Sequence, residues 1–150
     1  MRTNFVNEVE VLYKPCLDTI ELTKVVKSAD VVDFLRKIWA DDIEYRERFY
    51  AVYLNRNNKI LGYYLVSMGS SCGTVTEPKM IFQPAISMHA STIILAHNHP
   101  SGNINPSNSD LKLTASMCKA GQFLEIPILE HIILTKSEFY SFSDNGNLNY

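Results

Sequence analysis

The sequence predicts an α/β (α+β) fold in which helices flank a mixed β-sheet, and three observations predict it. Apolar residues after Ser28 recur at helical spacing, two apolar runs enclose an Asn-rich turn, and a short β-branched run leads through a loop into a helix. Because helices and strands alternate along the chain, we expect them to pack as layers around one core. The 150 residues show no internal repeat or linker. We therefore expect a single domain over residues 1–150, with its core at about residues 28–146.

The first part of the chain predicts two strands and one helix. Residues 8–13 alternate polar and apolar side chains, which favours an edge strand, and residues 20–26 are a second candidate strand. Ser28 is expected to be the N-cap of an amphipathic helix. The apolar face of this helix is expected to lie in the core and comprises Val31, Phe34, Leu35, Ile38 and Trp39.

The middle of the chain predicts a β-hairpin. Residues 49–54 and 60–68 are apolar runs, and the segment between them is rich in Asn. Because Asn tolerates the left-handed backbone of tight turns, the two runs are expected to pair. Three further strands are predicted over residues 91–96, 126–135 and 139–142.

Two more helices are predicted between these strands. The first covers residues 78–90 and is expected to kink or restart at Pro84. The second begins after Ser107, and Gly121 is expected to be its C-terminal stop signal. The apolar face of the second helix is predicted to comprise Leu111, Ala115 and Cys118.

One stretch combines metal-ligand residue types with a defined local geometry. His97 and His99 point to the same side of an extended chain, whereas Asn98 points to the other side and is expected to fix the loop. Ser107 suits an N-cap, so Asp110 falls at the third helical position and points back toward the loop. Two imidazoles and one carboxylate, with a fourth position left to water, are the ligand set of a catalytic zinc site. The sequence therefore predicts a Zn²⁺ site at His97, His99 and Asp110.

Composition and charge limit the setting of this site. A net charge of −2 argues against an extended phosphate-binding surface. Cys16, Cys72 and Cys118 are an odd number without metal-ligand spacing, so we expect free thiols in a reducing compartment. No run of residues is long and apolar enough to span a membrane, and the N-terminus lacks an apolar signal segment. We therefore expect a cytoplasmic protein with no membrane partner.

The metal-ligand stretch resembles a known family. His97-x-His99-Pro100 followed by Ser107-x-x-Asp110 matches the signature of the JAMM (MPN-plus, JAB) metalloproteases. The sequence of the loop between these residues resembles the RadC branch of that family. The likeness covers roughly Arg46 to the C-terminus. The resemblance implies a cytidine-deaminase-like JAMM/JAB fold with a curved sheet, and zinc-dependent cleavage of amide bonds.

The chemistry of such a site also needs a general base to take a proton from water and pass it to the leaving nitrogen. The candidate carboxylates are Glu44, Glu47, Glu77, Glu125 and Glu130. In the family the working Glu stands just before a core strand beside the metal strand, which implies Glu47, with Glu44 as the alternative. For Ser107, helix geometry requires only a capping role, whereas the resemblance implies a hydrogen bond to the oxyanion of a tetrahedral intermediate.

Two positions depart from the RadC pattern. Pro78-Lys79-Met80 stands where the pattern has Pro-Arg-Glu, so no function is carried over to these residues. Glu130-His131 stands where the pattern has Asp-His, a difference of one methylene. Two interpretations of His131 are open, a buried structural histidine and a partner that hydrogen-bonds a metal ligand.

The leading functional hypothesis is a zinc-dependent hydrolase of peptide or isopeptide bonds. The RadC resemblance also implies a DNA repair or recombination accessory, although the segment ahead of Ser28 is too short for the helix-hairpin-helix domain of bacterial members. A third hypothesis is a metal-stabilised interaction module without turnover. A nuclease fits less well, because phosphodiester cleavage commonly uses two metals, and a deaminase would need a Pro-Cys-x-x-Cys pair. The expected partner is a peptide or protein substrate, and the oligomeric state is left open.

Overall fold

Three helices and five strands make up the described part of this computed structural model, which comprises residues 10–14, 22–39, 41–69 and 76–148. The helices are α1 (Ser28–Ile38), α2 (Pro78–Ser87) and α3 (Asn108–Phe123). The strands are β1 (Arg48–Leu54), β2 (Ile60–Met68), β3 (Thr92–Asn98), β4 (Ile128–Leu134) and β5 (Phe139–Ser141). They form one sheet in the order β2-β1-β3-β4-β5, in which β3 and β4 are parallel and the other neighbours are antiparallel. The predicted α/β fold with a mixed sheet is confirmed.

Both faces of the sheet are apolar, and helices cover each of them. Along β3, Ile93 and Leu95 pack on the side of α2 and α3, whereas Ile94 and Ala96 pack on the side of α1. This alternation follows from the period of two in a strand. The result is three layers, with α1 on one side of the sheet and the other two helices opposite. His97 continues the first series and therefore lies on the α3 side, at the carboxyl end of β3.

The predicted hairpin is confirmed. Strands β1 and β2 pair antiparallel, and Asn58 in the turn has a φ of 55°. The side-chain oxygen of Asn55 accepts hydrogen bonds from the backbone N–H groups of Asn57 at 2.9 Å and Lys59 at 3.0 Å. Asn residues therefore form this turn because they tolerate the left-handed region and hydrogen-bond the local backbone.

The predicted strand at residues 8–13 is not present where the chain is described. Residues 10–14 carry no strand, and residues 8 and 9 lie outside the described residues. The consecutive side chains of Val11 and Leu12 are 68% and 62% exposed. The alternation in this segment therefore buries no apolar face, which is the condition that makes such a pattern a strand.

The second predicted strand, at residues 20–26, reduces to a single contact among its described residues. Lys24 forms an isolated bridge with Lys59, while residues 20 and 21 lie outside the described part. Because α1 begins at Ser28, the backbone leaves the sheet before a ladder can extend.

Ser28 is not the N-cap of α1, as predicted, but its first helical residue, and Lys27 is the cap. The carboxylate of Asp30 accepts hydrogen bonds from the backbone N–H groups of Val26 at 2.9 Å and Lys27 at 3.0 Å. Since Asp30 satisfies these donors, the helix start does not need the Ser28 hydroxyl. That hydroxyl instead donates to Oε2 of Glu130 on β4 at 2.8 Å.

Helix α2 does not restart at Pro84 but runs continuously through it. It ends at Ser87, three residues earlier than predicted, and His89 follows with a φ of 54°. Pro84 cannot donate to the carbonyl of Met80, and a helix of only 10 residues tolerates this loss where its apolar face is buried.

Helix α3 does not stop at Gly121 but continues to Phe123, and the left-handed residue that follows is Glu125, with a φ of 57°. Gly121 has a different role. A Cβ at this position would lie 2.7 Å from the carbonyl oxygen of Ile126, so only glycine lets the chain fold back this tightly toward β4. The predicted apolar face is also partly wrong. Cys118 is buried as predicted, but Leu111 and Ala115 are only half-buried, and the other buried residues are Thr114, Met117 and Gly121.

We expect Gly121→Ala to lower the free energy of unfolding by about 1–3 kcal/mol, because backbone atoms must move to admit the methyl group. The measurement is urea unfolding of the variant beside the wild-type protein. Gly62→Ala is the matched control, since a Cβ there would meet only the methyl end of Met88, at 3.8 Å. An unchanged midpoint for the Gly121 variant would show that the backbone at Ile126 yields without cost.

Candidate metal centre

The two predicted histidine ligands extend from the carboxyl end of β3. This strand is longer than predicted because His97 and Asn98 still pair with neighbouring strands. His97 is buried, and His99, one residue past the strand, is half-buried. The backbone N–H of His99 donates the last bond of this strand, to Leu134 at 2.9 Å, and Pro100 then offers no further donor. The two imidazoles meet with their Nε2 atoms 3.0 Å apart.

Asp110 faces both imidazoles from the first turn of α3. Its Oδ1 lies 3.2 Å from Nε2 of His97, and its Oδ2 lies 3.4 Å from Nε2 of His99. Ser107 is the N-cap, as predicted, and its hydroxyl oxygen accepts the backbone N–H of Asp110 at 3.1 Å. The carboxylate accepts in return from the backbone N–H of Ser107 at 2.7 Å and from its hydroxyl at 2.6 Å. This reciprocal cap therefore aims the carboxylate at the histidines.

The loop after β3 fixes the orientation of the His99 ring. Gly102 has a φ of 81°, and its N–H donates to the carbonyl of His99 at 3.0 Å, which closes a tight turn. The carbonyl oxygen of Asn103 then lies 2.6 Å from Nδ1 of His99. Because a carbonyl can only accept, this Nδ1 carries a proton, and Nε2 is the nitrogen directed at Asp110.

His131 lies directly behind His97. Its Nε2 is 2.8 Å from Nδ1 of His97. The ring is fully buried and stacks on Phe142, with centroids 4.5 Å apart, and lies tilted against Phe49 at 5.6 Å. The geometry thus combines the two interpretations that the sequence left open, because His131 is both a core residue and a hydrogen-bond partner of a candidate metal ligand.

A bulge in β4 changes the side of the sheet that Glu130 and His131 face, compared with a regular alternating strand. Ile93 pairs with Ile128, but Ile94 pairs with Glu130, so one extra residue interrupts the ladder. His131 consequently faces α3, whereas Glu130 faces α1. The Glu130 carboxylate is buried and accepts four hydrogen bonds, from the hydroxyls of Ser28 and Ser141 and from the N–H groups of His131 and Ser143.

The pKa shifts of the centre reflect one carboxylate facing two imidazoles. Burial raises the pKa of the Asp110 carboxyl, but the ring nitrogens of His97 and His99 outweigh this effect and hold that pKa well below its usual range. The hydrogen bond to Asp110 raises the pKa of His99 against burial, and the charge of Glu47 adds a smaller contribution. Burial lowers the pKa of His131 well below its usual value, so its ring is neutral. The Asp110 carboxyl is therefore ionised where it faces the Nε2 atoms.

An open cavity of about 1060 Å³ lies over this centre. The sequence-predicted residues that line it are Glu44, Glu47, His97, His99, Ser107 and Asp110. The structure thus brings the predicted ligands, both leading base candidates and the predicted serine to one open cavity.

Comparison with known proteins identifies the family to which this geometry belongs. The family model described as a RadC-like JAB domain matches residues 25–147. This chain belongs to the RadC-like JAB domain family. The resemblance noted in the metal-ligand stretch is therefore confirmed over most of the chain.

Curated relatives of this RadC-like domain are known from several organisms. It is 38% identical over 128 residues to a UPF0758 protein of Chlorobium chlorochromatii, which covers 85% of this chain and 57% of the relative. It is 34% identical over 129 residues to a UPF0758 protein of Flavobacterium johnsoniae, with coverages of 86% and 56%. A UPF0758 protein of Clostridioides difficile is 36% identical over 113 residues, with coverages of 74% and 48%. The chain spans about half the length of these relatives, and their names state no activity.

The two base candidates in the RadC-like cavity differ in their surroundings. Glu44 is exposed, and its carboxylate accepts a hydrogen bond from Nζ of Lys136 at 2.8 Å. Glu47 directly precedes β1, is half-buried, and lies close enough to His99 for its charge to raise the pKa of that ring. The geometry therefore favours Glu47 over Glu44.

The other three base candidates do not line the cavity. Glu77 forms an ion pair with Lys79 on the surface. Glu125 follows the end of α3 opposite to Asp110, on a helix of 16 residues that is roughly 24 Å long. Glu130 is on the α1 face of the sheet, as described above.

Asn98 holds the segment that carries Glu47, whereas the sequence predicted that it would fix the loop after β3. Its Oδ1 accepts the backbone N–H of Arg48 at 2.7 Å. Its Nδ2 donates to the carbonyl oxygens of Ile43 at 2.6 Å and Arg46 at 2.9 Å. One buried amide thus couples the end of β3 to the start of β1, on the sheet side opposite to His97.

The donor set of this centre fits a divalent metal ion. One ligand atom each from His97, His99 and Asp110 all lie within 4.8 Å of one another. Imidazole nitrogens suit first-row divalent ions, a carboxylate adds negative charge, and the absence of thiolate from this set disfavours a soft-metal or iron–sulfur centre. The open cavity leaves room for water or substrate beside the ligands.

Thr114 is a member of this centre that the sequence did not indicate. Its hydroxyl donates to the backbone carbonyl of Asp110 at 2.6 Å and lies 2.7 Å from Nδ1 of His131. The available signal was its spacing, because Thr114 stands four residues after Asp110 and so shares its helix face.

In the described residues, no helix has the length and apolar character needed to cross a membrane.

Proposed function

We propose that this RadC-like domain is a metal-dependent hydrolase of amide bonds, with zinc as its metal and a peptide or isopeptide as its substrate. The observation that carries the proposal is the convergence of His97, His99 and Asp110 beside an open cavity that Glu47 and Ser107 also line. Two imidazoles and one carboxylate, with one coordination position left open, are typical of a catalytic zinc site.

Zinc bound there would supply Lewis acidity, which lowers the pKa of water at the site toward about 7 and polarises a substrate carbonyl. Glu47 takes the proton of the attacking water as its oxygen adds to the amide carbon. The same carboxyl then delivers that proton to the nitrogen as the C–N bond breaks, which yields an amine and a carboxylic acid that releases the second water proton to solvent at neutral pH. Because Glu47 is half-buried beside His99, it is positioned to exchange protons without leaving the cavity.

Ser107 serves this reaction in two ways. Its hydroxyl oxygen caps α3, which keeps Asp110 aimed at the histidines. Its hydroxyl proton is now donated to Oδ2 of Asp110 at 2.6 Å. When substrate enters, rotation of this hydroxyl offers the same proton to the oxyanion of the tetrahedral intermediate.

The test is metal analysis followed by a search for cleavage. Tag-free protein purified without chelators is expected to hold close to one zinc per chain. Zinc-loaded protein is then incubated with peptides and lysine-linked isopeptides, and new amines are detected by mass spectrometry. Stoichiometric zinc with no cleavage in a broad library would overturn the hydrolase and favour a metal-stabilised interaction module. Binding to duplex or branched DNA at low salt would instead favour the nucleic-acid alternative, which the net charge of −2 does not support.

A further inference from the structure

A chain of three side chains leads from helix α3 to the metal-facing imidazole of His97. Thr114 on α3 contacts Nδ1 of His131 at 2.7 Å, and Nε2 of His131 contacts Nδ1 of His97 at 2.8 Å. All three side chains are buried, with exposures of 0–1%. Since water has no access to these contacts, each proton in the chain must be placed by the protein groups themselves.

The direction of each hydrogen bond follows from the single proton of the Thr114 hydroxyl. That proton is donated to the backbone carbonyl of Asp110 at 2.6 Å, because a carbonyl oxygen can only accept. Threonine in a helix commonly donates to the carbonyl four residues earlier in this way. The hydroxyl has no second proton for His131, so it accepts from Nδ1–H of that ring.

Counting protons in the same way assigns the tautomers of His131 and His97. A neutral imidazole holds one proton, so His131 with Nδ1 protonated presents a lone pair at Nε2. His97 must then donate from Nδ1 to this lone pair across 2.8 Å. With its one proton on Nδ1, neutral His97 presents the lone pair of Nε2 toward Asp110 and His99.

We propose that Thr114 is a positioning residue which, through His131, holds His97 in the tautomer that can bind a metal at Nε2. This inference rests on the proposed metal centre. His99 reaches the same tautomer by a separate route, since its Nδ1 donates to the carbonyl of Asn103. In their neutral forms both rings therefore present an Nε2 lone pair to the same point, and Thr114 is the residue that sets the tautomer of His97.

The consequence of removing the hydroxyl can be followed along the same bonds. In Thr114→Val, Nδ1–H of His131 is buried with no acceptor at that position. The ring then favours the tautomer with its proton on Nε2, which donates to Nδ1 of His97. His97 must in turn carry its proton on Nε2, where it blocks the metal. Loss of such a hydrogen-bond partner behind a ligand typically weakens metal binding by about 10–100-fold.

The first measurement is zinc affinity, obtained by competition with a chromophoric chelator. Thr114→Val is expected to weaken binding by about 10–100-fold, and Thr114→Ser, which keeps the hydroxyl, is expected to bind close to wild type. Thr92→Val is the matched control, because the Thr92 hydroxyl on β3 is also buried but makes no hydrogen bond within the described residues. Equal affinities for the Val and Ser variants at position 114, or an equal loss in Thr92→Val, would overturn the proposal.

The second measurement keeps the proposal testable in the metal-free protein. Two-bond ¹H–¹⁵N correlation spectra of the histidine rings, at mildly alkaline pH, distinguish a protonated ring nitrogen from one with a lone pair. The wild-type protein is expected to show protonated Nδ1 and unprotonated Nε2 for His97 and His131, and Thr114→Val is expected to reverse both. If wild-type His97 carries its proton on Nε2, the proposal is wrong. If the tautomers are as expected but no zinc binds, the proposed hydrolase fails while the tautomer assignment stands.

Discussion

Asp110→Asn is expected to abolish metal binding while leaving the fold intact. The substitution keeps the shape of the side chain but removes the charge that faces His97 and His99. Loss of a hydrogen-bond partner behind a ligand weakens binding by about 10–100-fold, so loss of the only charged ligand in the set should exceed a hundredfold. Elemental analysis should therefore find close to one zinc per wild-type chain and none in the variant.

Thermal unfolding separates the loss of metal from a loss of structure. Zinc at about a hundred times its dissociation constant stabilises the wild-type protein by about 2.7 kcal/mol, which for a domain of this size raises Tm by about 5–10 °C. Asp110→Asn should show no rise with zinc. Without zinc its Tm should fall, because the neutral amide removes the charge that His97 and His99 face, although an Asn oxygen can still accept the N–H of Ser107. The exposed Asp33→Asn substitution on α1 is the control and should bind zinc normally.

A zinc-dependent rise in Tm that survives in Asp110→Asn would show that metal binds elsewhere on the chain. This result would remove the main support for the hydrolase.

The candidate metal centre was largely predictable from the sequence because His97, His99 and Asp110 lie close together along the chain. Strand alternation places His97 and His99 on one side, and the N-cap at Ser107 turns Asp110 back toward them. Both rules act over a few residues and do not depend on distant contacts. The connection of His131 to His97 was not predictable in the same way. It depends on the register of two parallel strands and on one bulged residue, neither of which leaves a local signal.

The errors at the ends of elements have the same physical origin. Local rules predict Gly121 as a helix stop, but the close approach of the Ile126 carbonyl oxygen requires a glycine inside the helix. Ser28 fits the residue types of an N-cap, but Glu130 from a distant strand accepts its hydroxyl, and Lys27 is the cap, with its N–H bonded to the Asp30 carboxylate. In each case a tertiary contact outweighs a local preference that is worth about 1 kcal/mol.

Glu47→Gln is expected to lower turnover by about 10²–10⁴-fold, the usual contribution of a general base. The amide keeps the size of the side chain but cannot take a proton from water. Zinc content should not change, because Glu47 is not among the clustered donor atoms. The measurement is turnover of whichever peptide or isopeptide the wild-type protein cleaves, at saturating zinc and over a range of substrate concentrations.

Glu44→Gln is the matched control, since Glu44 lines the same cavity and lies on the same segment. Its carboxylate is held by Lys136 at the surface, so its loss should leave turnover nearly unchanged. A fall in Glu44→Gln with normal turnover in Glu47→Gln would move the base to Glu44. Normal turnover in both would remove this segment from the chemistry.

The expected difference between the two glutamates comes from how the backbone of their segment is held. The Asn98 amide bonds to Ile43, Arg46 and Arg48, and the carbonyl of Glu47 accepts the N–H of Gly69 at 3.0 Å. The backbone around Glu47 is therefore hydrogen-bonded to the ends of both β2 and β3. Catalysis by a base requires such a fixed geometry. Glu44 lies within a turn, and its exposed side chain pairs with Lys136 at the surface. The effect of Glu47→Gln should accordingly fall on kcat, with little change in KM, because the lost interaction belongs to proton transfer and not to binding.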